Sequence, residues 1–259
     1  MSAGSPAAVR RCLLALSRRI SDLGFTSCDF SLLSDGLISR SLDAFCWCVL
    51  GFSAGCMAGI ALRLVRVPGH IFVRWRGAHR VQVNWEPVGR PYFRTDAWYR
   101  SVYSITPARR RSSYLEEMDD RGFAALTHLR LAEYWRMRGD PDRRQKLVDE
   151  AARLAPGYPE CWRSLGQVES ARGRIQEALR CMEKAVERDP HDAALWHELG
   201  VLFGKAQRHA HALECFERAL RCDPARRDSM VYRDATRRLL TPGNGRRFPG
   251  AGRNGFRVH

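Results

Sequence analysis

The sequence predicts an α+β N-terminal domain followed by an all-α solenoid of helical repeats. Two observations carry this prediction: residues in the C-terminal half recur at a spacing of 34, and two alternating apolar runs follow a long apolar segment in the N-terminal half. Recurrence at a period of about 20 to 50 residues is typical of solenoids. Apolar residues at every second position indicate strands. A length of 259 residues is sufficient for two domains.

The first segment, residues 1–24, is expected to form an amphipathic helix. Its short apolar stretch lies between Arg10-Arg11 and Arg18-Arg19, which leaves it too short for a signal peptide. A polar, Ser-rich connection follows over residues 27–40.

A long apolar helix is expected from about Asp43 to Arg63. Residues 45–62 carry no charge, and these eighteen residues just reach the length of a short membrane span. Gly51, Gly55 and Gly59 also have the spacing of closely packed spanning helices. A buried helix of a small α+β domain explains the same run, so a membrane-associated alternative stays open beside a cytoplasmic one.

Pro68-Gly69 ends this helical segment, and a hairpin is expected next. The runs 70–75 and 80–85 alternate apolar and polar residues and are joined through a Gly-containing connection. Asp96 to Ser101 is expected to be a short helix. The first domain is therefore placed at residues 1–106, followed by a basic linker at 107–121.

The C-terminal half contains a repeated motif. Seven residues return 34 positions later: Trp162, Leu165, Gly166, Ala178, Met182, Ala185 and Pro190 recur as Trp196, Leu199, Gly200, Ala212, Phe216, Ala219 and Pro224. This order resembles the tetratricopeptide repeat (TPR), a helix–turn–helix unit in which small residues allow close helix contact. A degenerate earlier copy completes three predicted repeats, 125–158, 159–192 and 193–226. With a capping helix at 228–240, the predicted repeat region covers residues 122–240. A disordered basic tail is expected at 241–259.

Composition restricts the possible functions. The formal net charge of +15 comes mostly from scattered arginines without a nucleic-acid motif, so specific nucleic-acid binding is not expected, although attraction to anionic surfaces is. The nine cysteines have no metal-ligand spacing, and neither a metal nor a cofactor is expected. Packed free thiols favour a reducing compartment.

The N-terminal half also carries a candidate catalytic constellation. A helix rich in small residues, then P-G-H-I-F-V-R-W at 68–75 and V-N-W-E-P at 83–87, resembles the transglutaminase-like cysteine hydrolase domain that bacterial TPR proteins carry. The resemblance implies a papain-type triad, with His70 as the base and Asn84 or Glu86 as the residue that orients it. The nucleophile position of the family falls on Ala44, which has no reactive atom. Cys48 lies one turn further along the predicted helix.

The repeats are expected to bind a protein or peptide in the groove formed by the first helix of each unit. The predicted groove residues are Glu160, Arg163, Gln167, Ala194, His197 and Val201. They lack the Lys and Asn pattern that grips a C-terminal carboxylate, and the oligomeric state is left open.

Two functional hypotheses follow. The first is a protein-interaction scaffold whose transglutaminase-like domain is inactive. The alternative is an active cysteine hydrolase or acyl transferase that acts on peptide amides through Cys48, His70 and Asn84.

Overall fold

The computed structural model describes residues 5–24, 26–27, 41–78, 81–87, 92–107, 109 and 113–241. The chain divides into two compact units, residues 1–191 and 192–259. The helices are α1 (Pro6–Asp22), α2 (Ala44–Met57), α3 (Asp96–Val102), α4 (Asp120–Met137), α5 (Pro141–Leu154), α6 (Pro159–Ala171), α7 (Ile175–Arg188), α8 (Ala193–Lys205), α9 (His209–Cys222) and α10 (Arg227–Leu240). The strands are β1 (Thr26–Ser27), β2 (Ser41–Leu42), β3 (Leu62–Val67), β4 (His70–Arg76), β5 (Gln82–Glu86) and β6 (Tyr92–Arg94).

The N-terminal half is built on an antiparallel sheet in the order β3-β4-β5-β6. Alternation along the strands gives the sheet two apolar faces. One face packs on α1 and α2 through a buried cluster that includes Val9, Leu13 and Cys48. The other face packs on α3 through Phe72 and Tyr99. The predicted α+β arrangement is present as helices on both sides of a small sheet.

The apolar segment after residue 43 is shorter as a helix than the sequence predicted. Helix α2 ends at Met57 and not near Arg63, because Gly59 takes the left-handed conformation with φ +76°. The amide of Ile60 donates to the carbonyl of Gly55 and that of Gly59 to Cys56, which is the Schellman pattern of a helix end. Strand β3, which the sequence analysis did not predict, then begins at Leu62.

This division also bears on the membrane alternative for residues 45–62. The uncharged run comprises 13 of the 14 residues of helix α2, a turn and the first residue of the buried strand β3. Among the residues that the structure describes, no helix has both the length and the apolar character needed to cross a bilayer.

The repeat helices follow the predicted period. In the first unit α4 packs on α5, α5 on α6, and α6 on α7; in the second unit α8 packs on α9, and α9 on α10. Gly166 marks a close approach, because a Cβ there would lie 3.2 Å from the carbonyl oxygen of Ala178. The predicted last helix corresponds to α10. The predicted tail, apart from Thr241, lies outside the described residues, as does most of the connection predicted at 27–40.

Candidate functional site

A cavity of about 340 Å³ lies in the first unit, between the N-terminal half and the first repeat helices. Its walls come from the start of α2, the β3–β4 hairpin, α4 and α6. The lining residues are Asp43, Ala44, Phe45, Arg66, Val67, Gly69, His70, Ile71, Leu126, Leu129, Arg130 and Glu160. The sequence-predicted base, His70, and the predicted nucleophile position, Ala44, therefore line one cavity.

The β3–β4 turn places His70 at the cavity wall. Val67 and His70 pair across the turn, and Pro68-Gly69 occupies its two central positions. Proline supplies the φ of the first central position, and Gly69 supplies a left-handed φ of +67° at the second. His70 is consequently held as the first residue of β4.

The start of α2 forms another part of the cavity wall. Asp43 is the N-cap residue, and its side chain accepts a hydrogen bond from the amide of Cys46 at 2.9 Å. Ala44 is the first helical residue, so position 44 presents a methyl group at a helix N-terminus. The α2 segment contributes Asp43, Ala44 and Phe45 to the cavity, and none of these three residues carries a thiol.

His70 is paired with Glu86. The distances from His70 Nε2 to the two carboxylate oxygens of Glu86 are 3.0 and 2.9 Å. The hydroxyl of Tyr99 donates to the same carboxylate at 2.5 Å. Burial raises the pKa of Tyr99, and the negative charge of Glu86 raises it further. The structure thus gives His70 the second of its two predicted orienting partners.

Asn84, the first predicted partner of His70, is engaged in a separate buried network. Its Oδ1 accepts from Arg74 Nε at 2.8 Å, and its Nδ2 donates to Asp96 at 2.8 Å. Arg74 also donates to Asp96 at 2.6 Å. Burial lowers the pKa of Arg74, while the negative charge of Asp96 opposes that shift. Asn84 therefore helps to orient a buried arginine, and it forms no hydrogen bond with His70 in the described part of the chain.

Cys48, the predicted alternative nucleophile, lies inside the core with 0% exposure. Its Sγ donates to the backbone carbonyl of Ile71 at 3.1 Å. Burial raises the pKa of this thiol well above its ordinary value, and the nearby charge of Glu86 adds to the shift. Among the described residues, no hydrogen bond joins Cys48 to His70. A buried, protonated thiol is chemically inert, so the geometry does not assemble the predicted Cys48–His70–Asn84 set.

The predicted groove residue Glu160 contacts the N-terminal half. It accepts two hydrogen bonds from Arg66 Nη1 of β3, at 2.8 and 2.9 Å. The Arg66 guanidinium also lies over the rings of Tyr158 and Tyr114, at 3.9 and 4.4 Å from their centroids. Arg130 of α4 forms a second ion pair across the cavity, with Asp43.

The remaining predicted groove residues are half-buried. Arg163 and Gln167 lie on α6 in the first unit. In the second unit, Ala194, His197 and Val201 lie on α8, and His197 Nδ1 is 3.0 Å from the hydroxyl of Ser229 on α10. The ring of His197 is thus already in contact with the last helix of its own unit.

The structure also contains buried polar residues that the sequence analysis missed. Arg109, placed in the predicted linker, is 5% exposed; its Nε donates to Asp189 at 2.9 Å, and Tyr114 donates to the same carboxylate at 3.0 Å. Arginines within the apolar strands β3 and β4 were the available signal, since a charge inside a strand that is otherwise buried requires a partner.

Within the described residues, no group of three or more potential ligands is arranged to hold a metal ion.

The family model of the tetratricopeptide repeat matches residues 163–227. The search of curated proteins finds no match. Among solved structures, the first TPR of Spaghetti (RPAP3) bound to HSP90 peptide SRMEEVD is similar at 14% identity and TM-score 0.44, covering 46% of this chain and 94% of that one. The Arabidopsis OM64 TPR domain is 15% identical, with TM-score 0.44 and coverage of 46% and 98%. YrrB, a TPR protein with an unusual peptide-binding site, is 19% identical, with TM-score 0.40 and coverage of 42% and 57%.

The 34-residue period and the paired helices agree with the family match over residues 163–227. Residues 163–227 form a tetratricopeptide-repeat region.

Proposed function

We propose that this chain is a non-enzymatic interaction scaffold. Its repeats bind a protein or peptide partner, and its N-terminal half is a transglutaminase-like domain that has lost its nucleophile. The proposal rests on the position of Ala44, which lies at the N-terminus of α2 and lines the same cavity as His70. A cysteine at this position would complete a Cys–His–Glu arrangement.

The remaining polar groups around the cavity support the inactive assignment. His70 is oriented by Glu86, as a catalytic base would be, but no thiol is among the described residues that line its cavity. Cys48 is buried and its pKa is raised. Since only the thiolate attacks, the described cavity wall retains the orienting pair without a thiol for it to activate.

Replacing the alanine tests this half of the proposal. In Ala44→Cys the new thiol should react with iodoacetamide near pH 7 about tenfold faster than the exposed Cys56 at the other end of α2, because a helix N-terminus and a histidine lower a thiol pKa. Adding His70→Phe should remove most of this advantage. Tandem mass spectrometry of the digested protein separates labelling at position 44 from labelling of Cys48 and Cys56.

Two results would overturn the proposal that this half is a cysteine–histidine site without its nucleophile. One is selective labelling of Cys48 in the unmodified folded chain. The other is a thiol at position 44 that reacts no faster than Cys56 and does not respond to His70→Phe, since the cavity would then be unrelated to a cysteine–histidine site.

The scaffold half requires a binding measurement. Peptides selected from a random display library on the full chain should lose about tenfold or more in affinity to Arg163→Ala/Gln167→Ala, a change of roughly 1.4 kcal/mol. The matched control is Glu183→Ala/Glu187→Ala, on the exposed side of α7. Isothermal titration gives the dissociation constants. Equal losses in both variants, or a library that yields no binder, would contradict peptide recognition through α6.

A further inference from the structure

Helix α1 presents an exposed row of arginines that the proposed function does not use. Arg10, Arg11, Arg18 and Arg19, here called the arginine face, are all exposed. The opposite side of the helix buries Val9, Leu13, Ser17 and Ile20. The two arginine pairs lie about 12 Å apart along the helix axis, since each residue advances about 1.5 Å.

Within the described residues, no carboxylate neutralises the arginine face. In the described part of the chain, none of its four side chains forms an ion pair, and the only acidic residue of α1 is Asp22. By contrast, the three buried arginines Arg66, Arg74 and Arg109 are paired with carboxylates. The concentration of unpaired charge on one helix face therefore distinguishes α1 from the rest of the described protein.

The edge strand that Arg10 contacts also carries an exposed group of aromatic side chains. Arg10 lies over the ring of Phe93 on β6, which brings α1 to the edge strand of the sheet. On the other side of β6, Arg94 lies over Tyr92 and Trp98, at 5.2 and 4.7 Å from the ring centroids. Tyr92 is 49% exposed and Trp98 36%. Tyr92, Arg94 and Trp98 are called the aromatic cluster.

The chemistry of these two groups selects among anionic partners. Arginine binds phosphate in a bidentate manner, and exposed aromatic rings stack on nucleotide bases. A lipid bilayer fits less well, because the apolar side of α1 is buried in the core and is not available for insertion. We propose that the arginine face and the aromatic cluster bind single-stranded nucleic acid, through the phosphate backbone and base stacking, without sequence preference.

The test uses the full-length chain and a fluorescent oligothymidylate of about 12 nucleotides. Fluorescence anisotropy across a salt series should give a linear fall of log K with log salt, to which each phosphate contact contributes about 0.7. The variant Arg10→Gln/Arg11→Gln/Arg18→Gln/Arg19→Gln should bind at least about tenfold more weakly at low salt, with a slope smaller by about 2 to 3.

A matched variant separates the arginine face from net charge alone. Arg121, Arg180, Arg221 and Arg227 are exposed and make no ion pair in the described structure, so changing these four to Gln removes the same charge elsewhere. Its affinity should stay within about twofold of the parent, since the contacts would be intact. Equal weakening of both variants would overturn the proposal, because binding would then reflect net charge only.

Two further measurements test the identity of the partner. Trp98→Ala/Tyr92→Ala should weaken oligonucleotide binding by about tenfold or more while leaving the salt slope unchanged, since stacking carries no counterion release. Vesicles of phosphatidylserine and phosphatidylcholine provide the competing anionic surface. Binding to the vesicles without binding to the oligonucleotide, or no effect of the aromatic substitutions, would contradict a nucleic-acid surface.

Discussion

Two kinds of ion pair differ in their burial and in the sequence separation of their partners. The first kind lies in the N-terminal half and at its junction with the first repeats, and the second kind lies on the repeat helices. The first kind is buried and joins residues far apart in the chain, as Arg109 and Asp189 do, with 5% and 0% of their side chains exposed. The second kind is mostly exposed and mostly local, as in Arg136 with Glu133, three residues away. The repeats are held instead by apolar and small residues at repeating positions, such as Ala178, Met182 and Ala185.

This difference assigns separate physical roles to the two regions. Exposed pairs contribute little to stability because water and salt screen them. Buried pairs are costly to break, since removal of one partner leaves the other charged and dry. The repeat fold therefore depends on packing, whereas the attachment of the N-terminal half to the first repeats depends on a few buried arginines.

The largest expected effect comes from breaking the Arg109–Asp189 pair. In Arg109→Ala the Asp189 carboxylate would remain buried with Tyr114 but without its cation, and the free energy of unfolding should fall by about 3 to 5 kcal/mol. Urea denaturation followed by circular dichroism measures this loss. In the control Arg136→Ala, which breaks an exposed pair, the midpoint should stay unchanged.

A double variant checks the stated cause. Arg109→Met/Asp189→Leu removes both charges and should recover most of the lost stability, because apolar residues often replace a buried ion pair without cost. If the double variant is as unstable as Arg109→Ala, the loss comes from packing, and the contrast between the two kinds of ion pair is not supported here.

A smaller loss of stability is expected when the buried arginine of β3 is replaced by lysine, which has the same charge but a different shape. Arg66→Lys retains one positive charge near Glu160 but loses the planar group that lies over Tyr158 and Tyr114. Stability should fall by about 1 to 3 kcal/mol in the same denaturation assay. Arg63→Lys, at an exposed position of the same strand, is the control. An unchanged midpoint in Arg66→Lys would show that charge alone is sufficient at this junction.

More of the structure could be predicted from the sequence in the repeats than in the N-terminal half and its junction with them. The repeat helices were predictable because each unit uses the same local positions, and Gly166 and Gly200 recur with the period. His70 and Ala44 could be placed near one another through the family resemblance. The pairing of Glu160 with Arg66, 94 residues away, could not be predicted, because nothing local specifies which distant charge a buried arginine meets. The choice of Glu86 over Asn84 for His70 likewise depends on the Arg74–Asp96 network.

Packing in the repeats can be tested with two glycines of α8. A Cβ at Gly200 would lie 2.7 Å from the ring of Phe216, whereas a Cβ at Gly204 meets nothing within 4 Å. Gly200→Ala should therefore destabilise the second unit by about 1 to 3 kcal/mol. Gly204→Ala should stabilise it by about 0.5 to 1 kcal/mol, because alanine is the better helix former. Thermal unfolding of both variants gives the comparison, and effects of the same sign would refute the close approach at Gly200.

The smallest expected effect concerns His197, a half-buried titratable group in a region otherwise held by apolar packing. Burial lowers its pKa from the ordinary 6.5, and the charge of Asp228 only partly opposes this. Below pH 6.5 the unfolded chain therefore binds more protons at this site than the folded chain does, so stability falls as the pH drops below 6.5 and levels off below the folded-state pKa. In His197→Gln the stability difference between about pH 8 and pH 5 should shrink by roughly 1 kcal/mol or less. His211→Gln should keep the parent difference because His197 is still present; an unchanged difference in His197→Gln would mean that this ring is protonated equally in the folded and unfolded chain.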